Sequence, residues 1–578
     1  MLSANRPLRL TIYALLAAIL YLPGLGSPAL WEPDEGRYAE IAREMVISGD
    51  YVTPRDDFEL YFEKPPLVYW AEAAAIRAFG TNEFAVRLPA ALFSIGQVVI
   101  TAALAEVMLG AAAGFFAAIV LALSPLFFGF ARFATLDPAL AFFLTAALGA
   151  FYVAARDDSF SRPSARKWML ISAAMLALGT LAKGPIALFL GGAIALAWLA
   201  VERRTRQIAE MPLVSCLVFY AAIVLPWFVL AEARNPGFMR FFFIHEHLER
   251  YVASTEHERG PWFFIPIVIG GAWPWIFFVP LGGSAMRRYN ALPSSSKSPS
   301  TQRAAASFLA VWFLVIFVFF SIPRSKLGSY ILPALPPLAI AAGYGLARLS
   351  ALDAVSRRRL LAIVAIANLV LAAGVCVFFE LILAPINPAV GFDGLLIGAV
   401  LAAGAIAMYL LGRTASSVPY GIGALAVAML ATVPLAARVR EDASPISTYR
   451  NLANAVRPFL AGDCTLASYR HYVQSLPFYT RQRETRVEYL GELSEVSSPS
   501  QGKSPFLIDS DARLREVWSS GSCMVLIANT RDLDALQSSL KPTPAILGCE
   551  GKKLALYNGS QAPPTGAANC LKLGAKNK

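Results

Sequence analysis

Long apolar runs alternate with short polar connections along most of this chain, and each run is near the roughly 18 to 22 residues that a membrane-crossing helix needs. The runs fall near residues 9–27, 84–108, 111–129, 137–155, 168–183, 185–201, 212–231, 262–282, 305–322, 331–348, 359–383, 392–411 and 418–436. That pattern predicts about thirteen transmembrane helices. Basic side chains collect in alternate connections: Arg156, Arg162, Arg166 and Lys167; Arg203, Arg204 and Arg206; Arg287, Arg288, Lys297 and Arg303; Arg357, Arg358 and Arg359; and Arg413. By the positive-inside rule these lie in the cytoplasm, with the amino terminus. Arg6 and Arg9 before the first run could introduce a signal peptide. No small-residue cleavage site follows, so an uncleaved first helix is expected.

The opposite face receives the Trp31–Trp70 loop, the Arg132–Asp137 turn, Lys183 with Gly184 and Pro185, the Asn235–Trp262 loop, Pro323–Tyr330 and the tail. The first loop is dense in charge, with Asp34, Glu35, Arg37, Glu40, Arg43, Glu44, Arg55, Asp56, Asp57, Glu63 and Lys64. Charge on that scale beside a bilayer needs water or a partner. Within it, Glu35 to Ile47 has helical spacing, with Tyr38, Ile41, Ala42 and Met45 on one stripe, Pro33 before it and Gly49 after it. Pro65 to Phe79 reads as a second short helix. Both are expected along the interface, apolar face toward lipid or protein.

The expected organisation is a transmembrane domain over 1–436, holding outer loops at 28–83 and 232–261, followed by an outer domain over 437–578. In the tail, strand-like pieces at 465–467, 487–490, 505–508, 524–528 and 554–557 alternate with helix-compatible segments at 447–459 and 512–519, the pattern of a small α/β domain. Cys464, Cys523, Cys549 and Cys570 lie there, enough for two disulfides in any of three pairings. Cys216 and Cys376 fall in spans and read as packing residues.

Composition sharpens this picture. The chain of 578 residues is 57% hydrophobic and 15% charged, against about 25% charged in a soluble domain. Its net charge of +11 sits in the short loops, which disfavours nucleic acid as a partner and suits anionic lipid head groups. The sequence contains no P-loop, dinucleotide-binding glycine run, nucleophile elbow or paired CxxC motif.

The candidate chemistry gathers on the outer face. Asp34 and Glu35 form an acidic pair suited to general-base work, metal binding or recognition of an amine. Tyr61, Glu63 and Lys64 stand before two prolines, where Lys64 can hold a phosphate as a point charge. Asp137 starts a span and is followed by Pro138, so it serves as a helix-start residue or a functional acid. His245 and His247 cannot share one helical face, but one of them could hold zinc with Glu63. Arg250 suits bidentate phosphate binding, and Arg324, Lys326, Tyr330, Lys183 and Arg132 are further candidates for an anionic ligand.

These residues carry a resemblance. Asp34-Glu35, Asp137, and His245-Glu246-His247 with Arg250 resemble the C-type, lipid-dependent glycosyltransferases, the superfamily of the protein O-mannosyltransferases. Leu22-Pro23-Gly24-Leu25-Gly26, Trp31 to Tyr38, Tyr61 to Leu67, and Ser325-Lys326 with Tyr330 to Pro333 are similar to the bacterial aminoarabinose transferases. The resemblance implies a polytopic helical glycosyltransferase fold with a carboxy-terminal α/β domain, in the bacterial inner membrane with its site and tail periplasmic. It implies inverting transfer of 4-amino-4-deoxy-L-arabinose from undecaprenyl phosphate to phosphates of lipid A, conferring resistance to polymyxin and other cationic peptides. In that reading Asp34 and Asp137 are catalytic, and Glu35, Arg37, Tyr38, Tyr61, Lys64, Lys183, Arg250, Lys326 and Tyr330 bind substrate or phosphate. No cofactor is expected beyond a zinc ion at Glu63 and His245, and the protein is expected to act as a monomer.

Two other classes compete. A C-type transferase for mannose, galacturonate or a neutral pentose would share the same motifs. A transporter or lipid flippase would carry ionisable groups at mid-membrane, whereas here the span centres are nearly free of charge. A scaffold that binds through its tail leaves the charged first loop unexplained.

Overall fold

The computed structural model describes residues 5–156, 160, 162–249, 258–288, 299–385, 388–442, 448–460, 462–489 and 506–559. It divides into two compact units, Met1–Leu25 with Arg87–Val439, and Gly26–Val86 with Arg440–Lys578.

The first unit is helical. Among its described residues, eight helices are long and apolar enough to cross a membrane, from Glu83–Leu109 to Val418–Asp442. Two helix pairs qualify only together, Ala111–Ala122 with Pro125–Ala131 bent by 67° and Pro261–Gly271 with Trp275–Arg287 bent by 92°. This is a multi-pass membrane protein. The expected count of thirteen becomes eight to ten by length and composition. The other three expected spans are helices too, but Arg6–Tyr21 and Ile186–Val201 have only 16 residues each, and Pro163–Lys183 opens on two arginines and a lysine within reach of its first turns.

Charge on the first helix of this unit is paired. Arg9 grips Glu106 with both Nε and Nη2, at 2.9 and 3.0 Å, and Tyr13 donates to the same carboxylate at 3.3 Å. That fastens the first helix to Glu83–Leu109 without leaving a bare ion among apolar groups. Asp137–Ala155 is buried on nearly all sides and packs on Pro163–Lys183, where Ser172 donates to the Ala147 carbonyl at 2.9 Å. Small residues allow the closest approaches. A Cβ on Gly282 would lie 1.9 Å from the Ala341 carbonyl oxygen, so Val279–Arg288 and Leu335–Arg348 meet backbone to backbone. Leu213–Arg234 and Ala354–Phe378 instead present exposed Leu, Val and Ile, as lipid-facing helices do.

The second unit combines the first loop with the tail. The loop, which the sequence reading grouped with the membrane region, has its packing partners in the tail. Its long helix, Asp34–Ser48, ends on Gly49 at φ 71°, the left-handed stop expected there. The helix is not amphipathic in burial: Glu35, Arg37, Glu40, Arg43 and Glu44 are buried along with Ile41 and Met45. It packs on Leu67–Phe79 and on Ser475–Thr480 of the tail, so its contacts are with protein. A Cβ on Gly36 would come within 2.6 Å of the Ser475 nitrogen, which makes Gly36 the point of closest approach. A two-stranded hairpin, β1 (Arg55–Asp56) and β2 (Glu59–Leu60), follows.

The tail is the α/β domain the pattern predicted. Among the described residues its six strands are β3 (Thr465–Tyr469), β4 (Glu484–Val487), β5 (Leu507–Ile508), β6 (Met524–Asn529), β7 (Ala545–Glu550) and β8 (Lys553–Tyr557). They lie in the order β5-β4-β3-β6-β8-β7, parallel from β5 to β6 and antiparallel at β8 and β7. The helix Asp511–Ser519 makes the β5-to-β6 crossover and buries Leu514 and Trp518 against the sheet. A disulfide joins Cys464 and Cys523, just before the paired strands β3 and β6, and Cys570 lies outside the described residues.

Candidate active site

Each unit gathers part of the predicted chemistry. In the second, Asp34 is the first residue of the helix Asp34–Ser48 and half-buried. A carboxylate there is favoured by the helix dipole, and the amide groups of the same turn can orient an anion. Glu35 points elsewhere: fully buried, it accepts from the Trp31 amide at 2.9 Å and from Arg440 Nη2 at 3.0 Å. That ion pair ties the start of the helix to the tail.

Around the turn before Leu67, polar groups stack closely. Tyr61 donates to Glu63 Oε2 at 3.2 Å, and Lys64 Nζ lies 3.8 Å from the same oxygen and donates to the Glu63 carbonyl at 3.1 Å. The Arg37 guanidinium sits 5.9 Å over the Tyr61 ring, and Tyr38 packs on Tyr69 at 5.8 Å. Burial holds the Tyr61 and Tyr69 hydroxyls well above their ordinary range, so both stay protonated, and Tyr61 spends its proton on Glu63. Arg37, Tyr38, Tyr61, Glu63 and Lys64 therefore form one cluster.

The remaining acids of the first loop are bound up in the fold. Arg43 bridges back to Glu40 at 2.7 Å. Glu44 caps the hairpin turn, accepting from the Phe58 amide at 2.9 Å with both oxygens, where Asp57 and Phe58 hold φ of 55° and 62°. Asp57 accepts from the Glu484 amide at 3.0 Å, and Tyr472 donates to Asp56 at 3.1 Å. Burial, then the neighbouring Glu40, raises Glu44 far above the carboxylate range; burial, then Glu484, does the same to Asp57. Glu72 is raised by burial and by Glu35. Glu44, Asp57 and Glu72 thus favour their protonated forms and contribute shape rather than free charge.

In the first unit, Lys183 forms an ion pair with Asp137, and its ammonium lies 4.8 Å from the centre of the Tyr330 ring. Three separate connections thus bring Asp137, Lys183 and Tyr330 together. Lys326 is buried and donates to the Arg259 carbonyl at 3.1 Å and to the Pro323 carbonyl, while Arg324 reaches Glu258 at 3.8 Å. Arg132 donates to the Tyr21 carbonyl at 2.9 Å, which makes it a clasp on the first helix. His245 is exposed on a π-helical segment, Phe241–Glu249, and packs against Phe241 at 5.2 Å. Arg250 and His257 lie outside the described residues, as does the His247 side chain.

Among the described residues, no group of three or more His, Cys, Asp or Glu is arranged to hold a metal ion. Glu63, one of the two proposed zinc ligands, already has the Lys64 ammonium and the Tyr61 hydroxyl against its carboxylate. A dication fits poorly beside that lysine.

Sequence reasoning missed Arg440 and Glu72. Arg440 follows the last span in a run that reads as an ordinary polar helix end, and only its distant partner Glu35 gives it meaning. Glu72 stands alone in an apolar helix, a signal that was present: a lone acid among alanines is costly unless it is held neutral or paired.

Residues 8–242 match the family model of dolichyl-phosphate-mannose-protein mannosyltransferases, and residues 452–554 match that of the aminoarabinose transferase C-terminal domain. An undecaprenyl phosphate-alpha-4-amino-4-deoxy-L-arabinose arabinosyl transferase of Pseudomonas fluorescens is 36% identical over 57% of this chain and 54% of its own length. One from Erwinia tasmaniensis is 32% identical over 57% of this chain and 58% of its own. The matched part thus spans just over half of these curated relatives. The crystal structure of ArnT from Cupriavidus metallidurans in the apo state aligns with a TM-score of 0.83 at 27% identity, covering 97% of this chain and 100% of that one. The same enzyme bound to undecaprenyl phosphate aligns at 0.82 and 26% identity. In both family models and in its fold, from membrane helices to terminal sheet, the chain is similar to the aminoarabinose transferases of the C-type, lipid-dependent glycosyltransferase superfamily.

Proposed function

We propose that the protein is an inverting glycosyltransferase that moves 4-amino-4-deoxy-L-arabinose from undecaprenyl phosphate to a phosphate group of lipid A. The reaction is assigned to the periplasmic face of the bacterial inner membrane, and the added amine would lower the affinity of lipid A for polymyxin and other cationic peptides. The observation that carries this reading is the likeness to ArnT in its undecaprenyl phosphate complex, over nearly the whole chain.

In the proposed step an oxygen of the acceptor phosphate attacks the anomeric carbon from the face opposite the leaving group. The bond from that carbon to the donor phosphate breaks, and its electron pair leaves on undecaprenyl phosphate. Charge grows on the leaving phosphate, so cations placed there stabilise the transition state. Lys64, Arg250, Lys326 and Arg37 are assigned that work. Lys183, held by Asp137 and faced by Tyr330, is a further cation placed at the end of a span, suited to a head group. The acceptor needs little help from a base, because a phosphate monoester with a second pKa of about 6 is already ionised near neutral pH. Asp34 is therefore assigned to orienting the acceptor or holding the ammonium of the sugar.

Purified protein supplied with lipid A and a panel of polyprenyl-phosphate sugars, with products read by mass spectrometry, tests the reading. Addition of aminoarabinose is expected, and Asp34→Asn should lower the rate by about 10²- to 10³-fold with the fold intact. Transfer of a different sugar, with none from the aminoarabinose donor, would overturn it.

A further inference from the structure

Away from these residues, a groove of about 580 Å³ lies between the helices Pro163–Lys183 and Leu213–Arg234. Its wall is almost wholly apolar: Leu170, Ile171 and Met175 from the first helix and Phe219 from the second. Arg166 and Lys167 stand at one end, both exposed and neither with a carboxylate partner among the described residues. The spacing is built into the helix. Lys167, Ile171 and Met175 are four residues apart on one ridge, and Arg166 and Leu170 are four apart on the next. A Tyr220-to-Thr180 hydrogen bond of 2.9 Å ties the two helices beyond the groove.

The dimensions match a lipid. From Arg166 to Met175 the helix rises about 13 Å, close to the roughly 15 Å of one leaflet of the hydrocarbon core. Trp168, 38% exposed beside the two cations, belongs at head-group depth. A polar ligand would find nothing to bond along the wall, and a neutral hydrocarbon would leave the cation pair idle. We propose that this groove is a binding site for one anionic phospholipid, its phosphate against Arg166 and Lys167 and an acyl chain along Leu170, Ile171, Met175 and Phe219. The site is independent of the sugar-transfer reading and rests only on the chain's residence in a membrane. Basic pockets between transmembrane helices are the usual seats of such head groups.

Full-length protein in mild detergent, titrated with phosphatidylglycerol or phosphatidylcholine of identical chains, gives the test by native mass spectrometry. One phosphatidylglycerol is expected to stay bound in preference to phosphatidylcholine. Arg166→Ala with Lys167→Ala should weaken retention about thirtyfold, each cation at a membrane surface contributing roughly fivefold. Arg358→Ala with Arg359→Ala, an equal loss of charge on an exposed helix start, should leave it unchanged. Ile171→Trp, which fills the groove and keeps both charges, should also release the lipid. Equal retention of the two lipids, equal loss in both double variants, or undiminished retention in Ile171→Trp would each overturn the site.

Discussion

Replacing Lys183 with Met keeps most of the length of the side chain and removes its charge. In the native protein the Lys183 side chain is 14% exposed and that of Asp137 only 7%, so the two ions have little water to fall back on. Breaking a pair this dry by removing one partner costs about 3 to 5 kcal/mol. The residual exposure places the loss near the lower end, at about 3 kcal/mol. Loss of the cation over the Tyr330 ring, 4.8 Å away, adds about 1 kcal/mol. Lys183→Met should therefore unfold at a clearly lower temperature in detergent. Adding Asp137→Leu removes the stranded carboxylate, so the double variant should recover about 3 kcal/mol of that loss. Transfer activity should not recover with it: if the pair faces a substrate phosphate or sugar, the double variant remains slower by about 10²- to 10³-fold. A Lys183→Met protein as stable as its parent would refute the reasoning about burial. A stable and fully active double variant would confine the pair to the fold.

Three further outcomes follow from the second unit and the candidate metal. The Cys464–Cys523 bridge closes a loop of 59 residues, so Cys464→Ser with Cys523→Ser should cost roughly 4 kcal/mol and make the tail the first segment cut in limited proteolysis. Glu484 is fully buried, and burial raises it from 4.5 to about 8, so the folded state holds a proton that the unfolded chain has released. Its contribution is complete below about pH 4.5 and is lost as pH rises toward 8; resistance of the tail to denaturant should fall across that window, and Glu484→Gln should flatten the fall. Chelation of divalent cations should leave sugar transfer unchanged, whereas a loss restored by zinc alone would return Glu63 and His245 to a metal-binding role.

Much of the membrane region was legible because its signal is local. A run of apolar residues declares a span by length alone, and Pro33 and Gly49 bracket the helix between them through backbone constraints that any reader of sequence can apply. The bends were less visible. The breaks between Ala122 and Pro125, and between Gly271 and Trp275, interrupt apolar stretches whose hydropathy hardly changes. The strand β7 was missed because Ala-Ile-Leu-Gly-Cys-Glu carries a central glycine and no alternation, and its pairing with β8 supplies what its own propensity lacks. The first loop posed the harder problem. Its density of charge was read as chemistry, yet Glu40, Arg43, Glu44, Asp56 and Asp57 are occupied with one another and with Tyr472 and Glu484 of the tail. No local pattern distinguishes an acid awaiting substrate from one whose partner lies over four hundred residues away, as Arg440 does from Glu35.

That distance also governs how the molecule is made. The loop over 26–86 leaves the ribosome roughly 350 residues before the tail that buries it. At about 5 to 20 residues per second, its charged helix waits some twenty seconds to a minute for its other half. During that interval the helix face at Gly36, which meets Ser475 in the finished protein, has no tail to cover it, and the nascent loop is open to chaperones and proteases alike. A chain halted after its last span would thus be exposed at its beginning as well as shortened at its end.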